Sequence, residues 1–183
     1  GGRRPARTRG AHAAFQRCNS ACEPCIHASD ANQVRVDGAQ TLAEVDRQMG
    51  YLRARRGPGQ YAQLIGGEVT LLSPGDHAAA LETIRRHGRV PMSFTHGDFD
   101  EQYLRDFALD EHNEPRFRRL SFAAHFDTTM VGRRGLKRAH RESDLDPFRA
   151  GSCPIFQRFR SNHGVRSSLA HNMTVTPPTV HGY

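Results

Sequence analysis

The chain has no tryptophan, and Lys137 is its only lysine although 26 residues are basic. It holds four cysteines in 183 residues and no apolar run long enough to span a bilayer. Each scarcity removes a class of protein. Without a long apolar run there is no helical membrane span to expect. The opening "GGRRPARTRG" is basic, but no apolar stretch follows it to make a secretory signal. The expected location is therefore cytoplasmic. Four cysteines are too few for a secreted disulfide scaffold, which is shorter and denser in Cys. The net charge of +7 would suit an acidic partner. However, the arginines recur in every segment: Arg53, Arg55 and Arg56, then Arg85, Arg86 and Arg89, then Arg116, Arg118 and Arg119. That spread is a compositional habit rather than a patch. With no Trp to stack on bases, neither nucleic acid nor membrane is an expected partner.

What is present suffices for one domain. Apolar residues make up 37% of the chain, and the length allows a full core. Residues 1–12 read as a flexible basic lead-in and 13–183 as the domain. "AHAAFQR" predicts a short strand, and residues 29–40 predict a loop. "TLAEVDRQMGYLRARRG" predicts a helix: Thr41 and Glu44 form a capping-box pattern, Leu42, Val45, Met49 and Leu52 share one face, and Gly57 stops it. "YAQLIGGEVTLL" is a strand ending in two glycines. "SPGDHAAALETIRRHG" is a helix with Ser73 as N-cap and Pro74 at the first position. "VPMSFTHG" is a strand, "DEQYLRDFAL" a helix, "RRLSFAAHFD" a strand. Residues 128–144 are loop-like, 146–164 are broadly helical around Pro154, and "VRSSLAHNMTVT" is a fifth strand. Such alternation argues for an α/β fold with a parallel sheet, either a barrel or a doubly wound sheet. In both, ligands sit at the C-terminal ends of strands. The chemistry-bearing residues fall there.

Foremost among them is "CNSACEPC", with Cys18, Cys22 and Cys25 in one tight stretch. Soft thiolates select zinc or iron–sulfur. Structural zinc wants four ligands in paired hooks. A fourth from His12, His27 or Cys153 would not repeat the hook spacing. A [4Fe–4S] cube normally takes four thiolates, so three leave one iron open.

Cys-x3-Cys-x2-Cys after the first strand of a βα series resembles the radical S-adenosylmethionine (radical SAM) enzymes. "LIGGEVTLL" resembles that family's GGE motif at the end of strand two. The resemblance implies an incomplete (β/α)6 TIM-like barrel, with parallel strands and outer helices, ending after strand five. It implies a [4Fe–4S] cluster on Cys18, Cys22 and Cys25, whose open iron takes S-adenosylmethionine. It further implies reductive cleavage to a 5′-deoxyadenosyl radical that abstracts hydrogen from a substrate, a peptide or a small molecule. Gly66, Gly67 and Glu68 would line the amino group of S-adenosylmethionine. An ammonium wants a carboxylate partner, and glycines let backbone approach a ligand. "RRLSFAAHFDTTMVGRRG" is similar to the family's fourth-strand pattern, which makes Ser121, Asp127 and Arg134 candidates for the ribose and carboxylate. Asn172 and His171, in the fifth strand, are candidates for the adenosyl group or substrate. The family also implies an external electron donor of flavodoxin or ferredoxin type. Pro24 stands where the family usually has an aromatic, and Val69 where it usually has Pro. With five strands and no starting Met, the sequence reads as a fragment of a longer enzyme.

Two other classes remain open. One is a zinc-stabilised basic module that binds nucleic acid; the other is a non-catalytic remnant of the barrel. Among the histidines, His77, His87, His140 and His163 show no ligand spacing and are expected to be solvated. His96, His125 and His171 each end a strand. Cys153, beside Pro154, is expected to be a half-buried small residue.

Overall fold

A computed structural model of the chain describes residues 11–15, 36–95, 99–117, 119–125, 157 and 166–172. The elements run β1 (Ala11–Phe15), α1 (Gly38–Arg56), β2 (Tyr61–Gly66), α2 (Pro74–Arg86), β3 (Val90–Thr95), α3 (Glu101–Ala108), β4 (Arg119–His125) and β5 (Arg166–Asn172). A single 3-10 turn, Val69–Leu71, follows β2. The expected alternation is therefore observed from β1 to β4, the helix expected over 146–164 lies outside the described residues apart from residue 157, and β1 begins within the segment read as lead-in.

The four pairings among these strands are all parallel, and the sheet order is β1-β2-β3-β4-β5. Parallel neighbours need crossover connections, which are right-handed. Because the described order never reverses, it lacks the switch point of a doubly wound sheet. Winding in one direction lays the helices on one face, where α1 packs on α2 and α2 on α3. Among the described strands β1 and β5 have one neighbour each, so the described sheet is open rather than closed into a barrel.

The core lies between sheet and helices. Val45 and Met49 of α1, Leu81 and Ile84 of α2, and Leu104 and Phe107 of α3 meet Ala62, Leu64, Leu120 and Phe122 of the sheet. Leu42 and Leu52 pack at its margin, as the spacing predicts. An aromatic group fills the region under α3. Phe107 lies 5.6 Å from Phe117 and 5.8 Å from Phe122 between ring centroids.

The helix ends follow local chemistry, with one correction. Ser73 caps α2, accepting from the Asp76 amide, and Asp100 caps α3, accepting from the Tyr103 amide. Gly57 and Gly88, after α1 and α2, take positive φ of 67° and 79°, a conformation costly for residues with a Cβ. The N-terminus of α1 is not at Thr41. Asp37 caps it, its Oδ1 accepting from the Gln40 amide at 2.9 Å. Thr41 is inside the helix with its hydroxyl on the Asp37 carbonyl, and Glu44 pairs with Arg47 instead of reaching back. Asp outranks a residue already inside the first turn as a cap. Thus part of the expected 29–40 loop, Gly38–Gln40, is helical.

Candidate functional site

In a parallel sheet, register decides which strand ends share an edge. Phe15 pairs with Gly66, Leu64 with Ser93, Thr95 with Ala124, and His125 with Asn172. The ends of all five strands therefore gather on one edge. The chain leaves β1 beside Gly66, and Cys18 lies three residues further along the sequence. Cys18, Cys22 and Cys25 lie outside the described residues, as do Asp127, Arg134, Cys153 and His96. Among the described residues, no three His, Cys, Asp or Glu side chains converge as metal ligands.

Gly66 is buried and Gly67 half-buried. Glu68 is 1% exposed. Its side chain turns across the strand ends rather than out to solvent. Oε1 accepts from the Thr70 amide at 3.0 Å, from the Thr70 hydroxyl at 2.7 Å, and from the Thr95 hydroxyl at 2.5 Å. The first of these caps the 3-10 turn. The third ties the end of β2 to the last residue of β3. A buried carboxylate is costly without such donors.

Below this lies a second polar arrangement. Ser93 and Thr95 are two residues apart on β3 and share its helix-facing side. His77 of α2 sets Nε2 2.6 Å from the Ser93 hydroxyl and Nδ1 3.0 Å from the Tyr103 hydroxyl. Tyr103 donates to the Leu72 carbonyl at 3.3 Å. With the tyrosine proton so used, the network assigns the proton of the ring to Nδ1, and Nε2 accepts from Ser93. The imidazole also stacks on Phe107, at 4.3 Å between centroids. Burial pushes His77 down to about 4, against a smaller upward pull from the Glu68 charge. Burial likewise pushes the Tyr103 phenol well up, with the Glu68 and Asp76 charges adding to it.

His77 corrects the sequence expectation. It is 0% exposed, not solvated. The signal was available: His77, Ala80, Leu81 and Ile84 follow the i, i+3, i+4, i+7 stripe of a core face. His87 is partly covered and bonds to Asp46 at 2.8 Å. Thr70, Ser93, Thr95 and Tyr103 were also missed as polar contributors. Two hydroxyl residues in phase at the end of an apolar strand are their signal.

Ser121 is half-buried on β4 between the buried Leu120 and Phe122. Strand alternation puts it on the face away from the helices. It is thus not on the side where Thr95 reaches Glu68. On β5 the backbone sets Asn172 opposite His125, and His171 opposite Ala124.

No family model matches the chain, and no curated protein matches it. Among solved structures it is similar to native anSMEcpe with bound AdoMet, at a TM-score of 0.51 and 16% identity. The match covers 87% of this chain but 42% of anSMEcpe, so the chain spans less than half of that protein's length. What the two share is the fold. That agrees with the α/β, parallel-stranded architecture expected from the sequence. No helix among the described residues is long and apolar enough to cross a membrane.

Proposed function

We propose that the chain is a radical SAM core, with Cys18, Cys22 and Cys25 holding a [4Fe–4S] cluster at the edge where Gly66, Gly67 and Glu68 end β2. The observation that carries this reading is the Phe15–Gly66 register. It brings together the two strand ends that lead into the cysteine triplet and into the "GGE" stretch. Three thiolates suit cluster iron and leave one iron for another ligand. The likeness to an AdoMet-bound fold supports the choice of that ligand. A zinc-stabilised module is less well supported, because a fourth ligand from His12, His27 or Cys153 would not repeat the paired-hook spacing of structural zinc.

When bound, the cluster and S-adenosylmethionine together supply a 5′-deoxyadenosyl radical for hydrogen abstraction from a substrate. This chain's residues bind and orient. Glu68 gives the strand edge a fixed negative charge that favours the ammonium of S-adenosylmethionine. The glycines before it admit close backbone approach. Ser121, Asp127, Arg134 and Asn172 contribute further contacts to the ribose, carboxylate and adenosyl groups. The resemblance to the radical SAM family implies an external electron donor of flavodoxin or ferredoxin type.

Anaerobic reconstitution with iron and sulfide tests the reading. Four irons per chain are expected, with a paramagnetic resonance signal of the reduced protein that changes on adding S-adenosylmethionine. One zinc per chain with no cluster signal would sink it and favour the zinc module. A folded chain with no metal would favour the non-catalytic remnant.

A further inference from the structure

We propose that Thr95 and Thr70 are positioning residues of the S-adenosylmethionine site, acting through the Glu68 carboxylate; the inference rests on the radical SAM reading of Gly66–Glu68. Neither threonine belongs to the "GGE" stretch. Both put their hydroxyls on the same oxygen, Oε1, at 2.7 Å and 2.5 Å. The two approach from different places. Thr70 sits in the 3-10 turn that Glu68 begins, and Thr95 ends the neighbouring strand.

The segment from Glu68 to Leu72 is consequently held at both ends. Thr95 holds its start through Glu68. Tyr103 holds its end through the Leu72 carbonyl, and His77 and Ser93 tie Tyr103 back to β3. A strand end locked in this way presents its backbone and charge in one arrangement before any ligand arrives. Such preorganisation lowers the ordering cost of binding. Removing the Thr95 hydroxyl cuts the tie between the Glu68 carboxylate and the end of β3, leaving the Thr70 bonds in place, without altering any residue of the motif.

The experiment uses the anaerobically reconstituted chain, with S-adenosylmethionine titrated against the paramagnetic resonance signal. In Thr95→Val, binding is expected to weaken by about tenfold, the scale of one hydrogen bond to a charged group. Iron content and the signal without S-adenosylmethionine stay unchanged. Thr95→Ser restores the hydroxyl and is expected to bind within about threefold of the parent. Thr70→Val is expected to weaken binding by a few-fold. Val45→Ala, a truncation in the α1 part of the core and outside this hydrogen-bond network, is expected to bind as the parent does. Parent-like binding in both valine variants, with the cluster intact, overturns the inference and leaves the radical SAM reading standing. Equal losses in Val45→Ala and Thr95→Val also overturn it, since a loosened core then explains both. If Thr95→Val does not fold, Thr70→Val decides alone: weaker binding supports the inference and unchanged binding overturns it. A parent chain whose signal ignores S-adenosylmethionine overturns the reading and the inference together.

Discussion

At the C-terminal edge of the sheet, the Glu68 carboxylate takes three hydrogen bonds on one oxygen. At the N-terminal edge, just before β3, the Arg89 guanidinium is nearly as buried, at 6% exposure. Its Nε has no partner among the described residues, and it reaches the Gly57 carbonyl only at 3.5 Å. Both edges bury an ionisable group, and burial of either is costly. One edge meets that cost with short hydroxyl bonds from two elements. The other tucks the group under a glycine loop. A Cβ at Gly59 would collide with the guanidinium. In parallel α/β proteins the C-terminal edge carries ligands and the opposite edge carries stability. Here the polar geometry is tight where a ligand would need it and loose where only packing is at stake.

Breaking the tight edge should have the largest effect. Glu68→Ala takes from the half-buried Thr70 and the buried Thr95 donors the oxygen they share, and should cost about 4 kcal/mol in urea unfolding. Glu68→Gln keeps an acceptor and should cost less than half as much. If Glu68→Ala unfolds within about 1 kcal/mol of the parent, the carboxylate does not hold the edge and the contrast collapses.

The next effect is one of pH. His77 in the folded chain lies at about 4, against an unperturbed 6.5. Between those values the unfolded chain binds a proton that the folded chain does not. The neutral imidazole's contribution is therefore fully present above about pH 6.5 and is lost as pH falls toward 4. That loss amounts to about 3 kcal/mol, with nothing further below. Unfolding free energies from pH 7 to 4 measure it. His77→Leu should flatten the slope over this range. An unchanged slope in that variant would assign the acid sensitivity to other groups.

How much of this was legible follows from where the information sits. Helix faces and caps are local: Val45 and Met49, Ser73 and Pro74, Gly57 all stand where the spacing puts them. The start of α1 was misplaced because Asp37 and Thr41 are both good caps, and the choice between them depends on the chain's approach to the helix. His77 was misread because its residue type outweighed its position on the apolar stripe. The Thr70–Glu68–Thr95 contact could not be read at all. It joins positions 27 residues apart, and depends on which strands become neighbours. Strand order itself separates a barrel-like winding from a doubly wound one, and alternation of elements is silent on it. The motif "GGE" was visible, but not that its carboxylate faces two hydroxyls.

The loose edge yields the smaller effects, and they are coupled. Gly59→Ala should cost about 2 kcal/mol, because the added methyl must displace the Arg89 guanidinium from its buried place. Arg89→Met keeps much of the stem's volume and removes a poorly partnered buried charge, so it should be neutral or stabilise by about 1 kcal/mol. The pair is informative together. In the Arg89→Met background the methyl added at position 59 no longer meets a rigid planar group. Gly59→Ala should then cost under about 0.5 kcal/mol, a clear departure from additivity. Strict additivity would mean that the guanidinium does not press on Gly59, and that the N-terminal edge holds its charge by some means other than the glycine loop. A large loss in Arg89→Met would reverse the comparison: the loose edge, and not the carboxylate clamp, would then be the place where the fold depends on a buried charge.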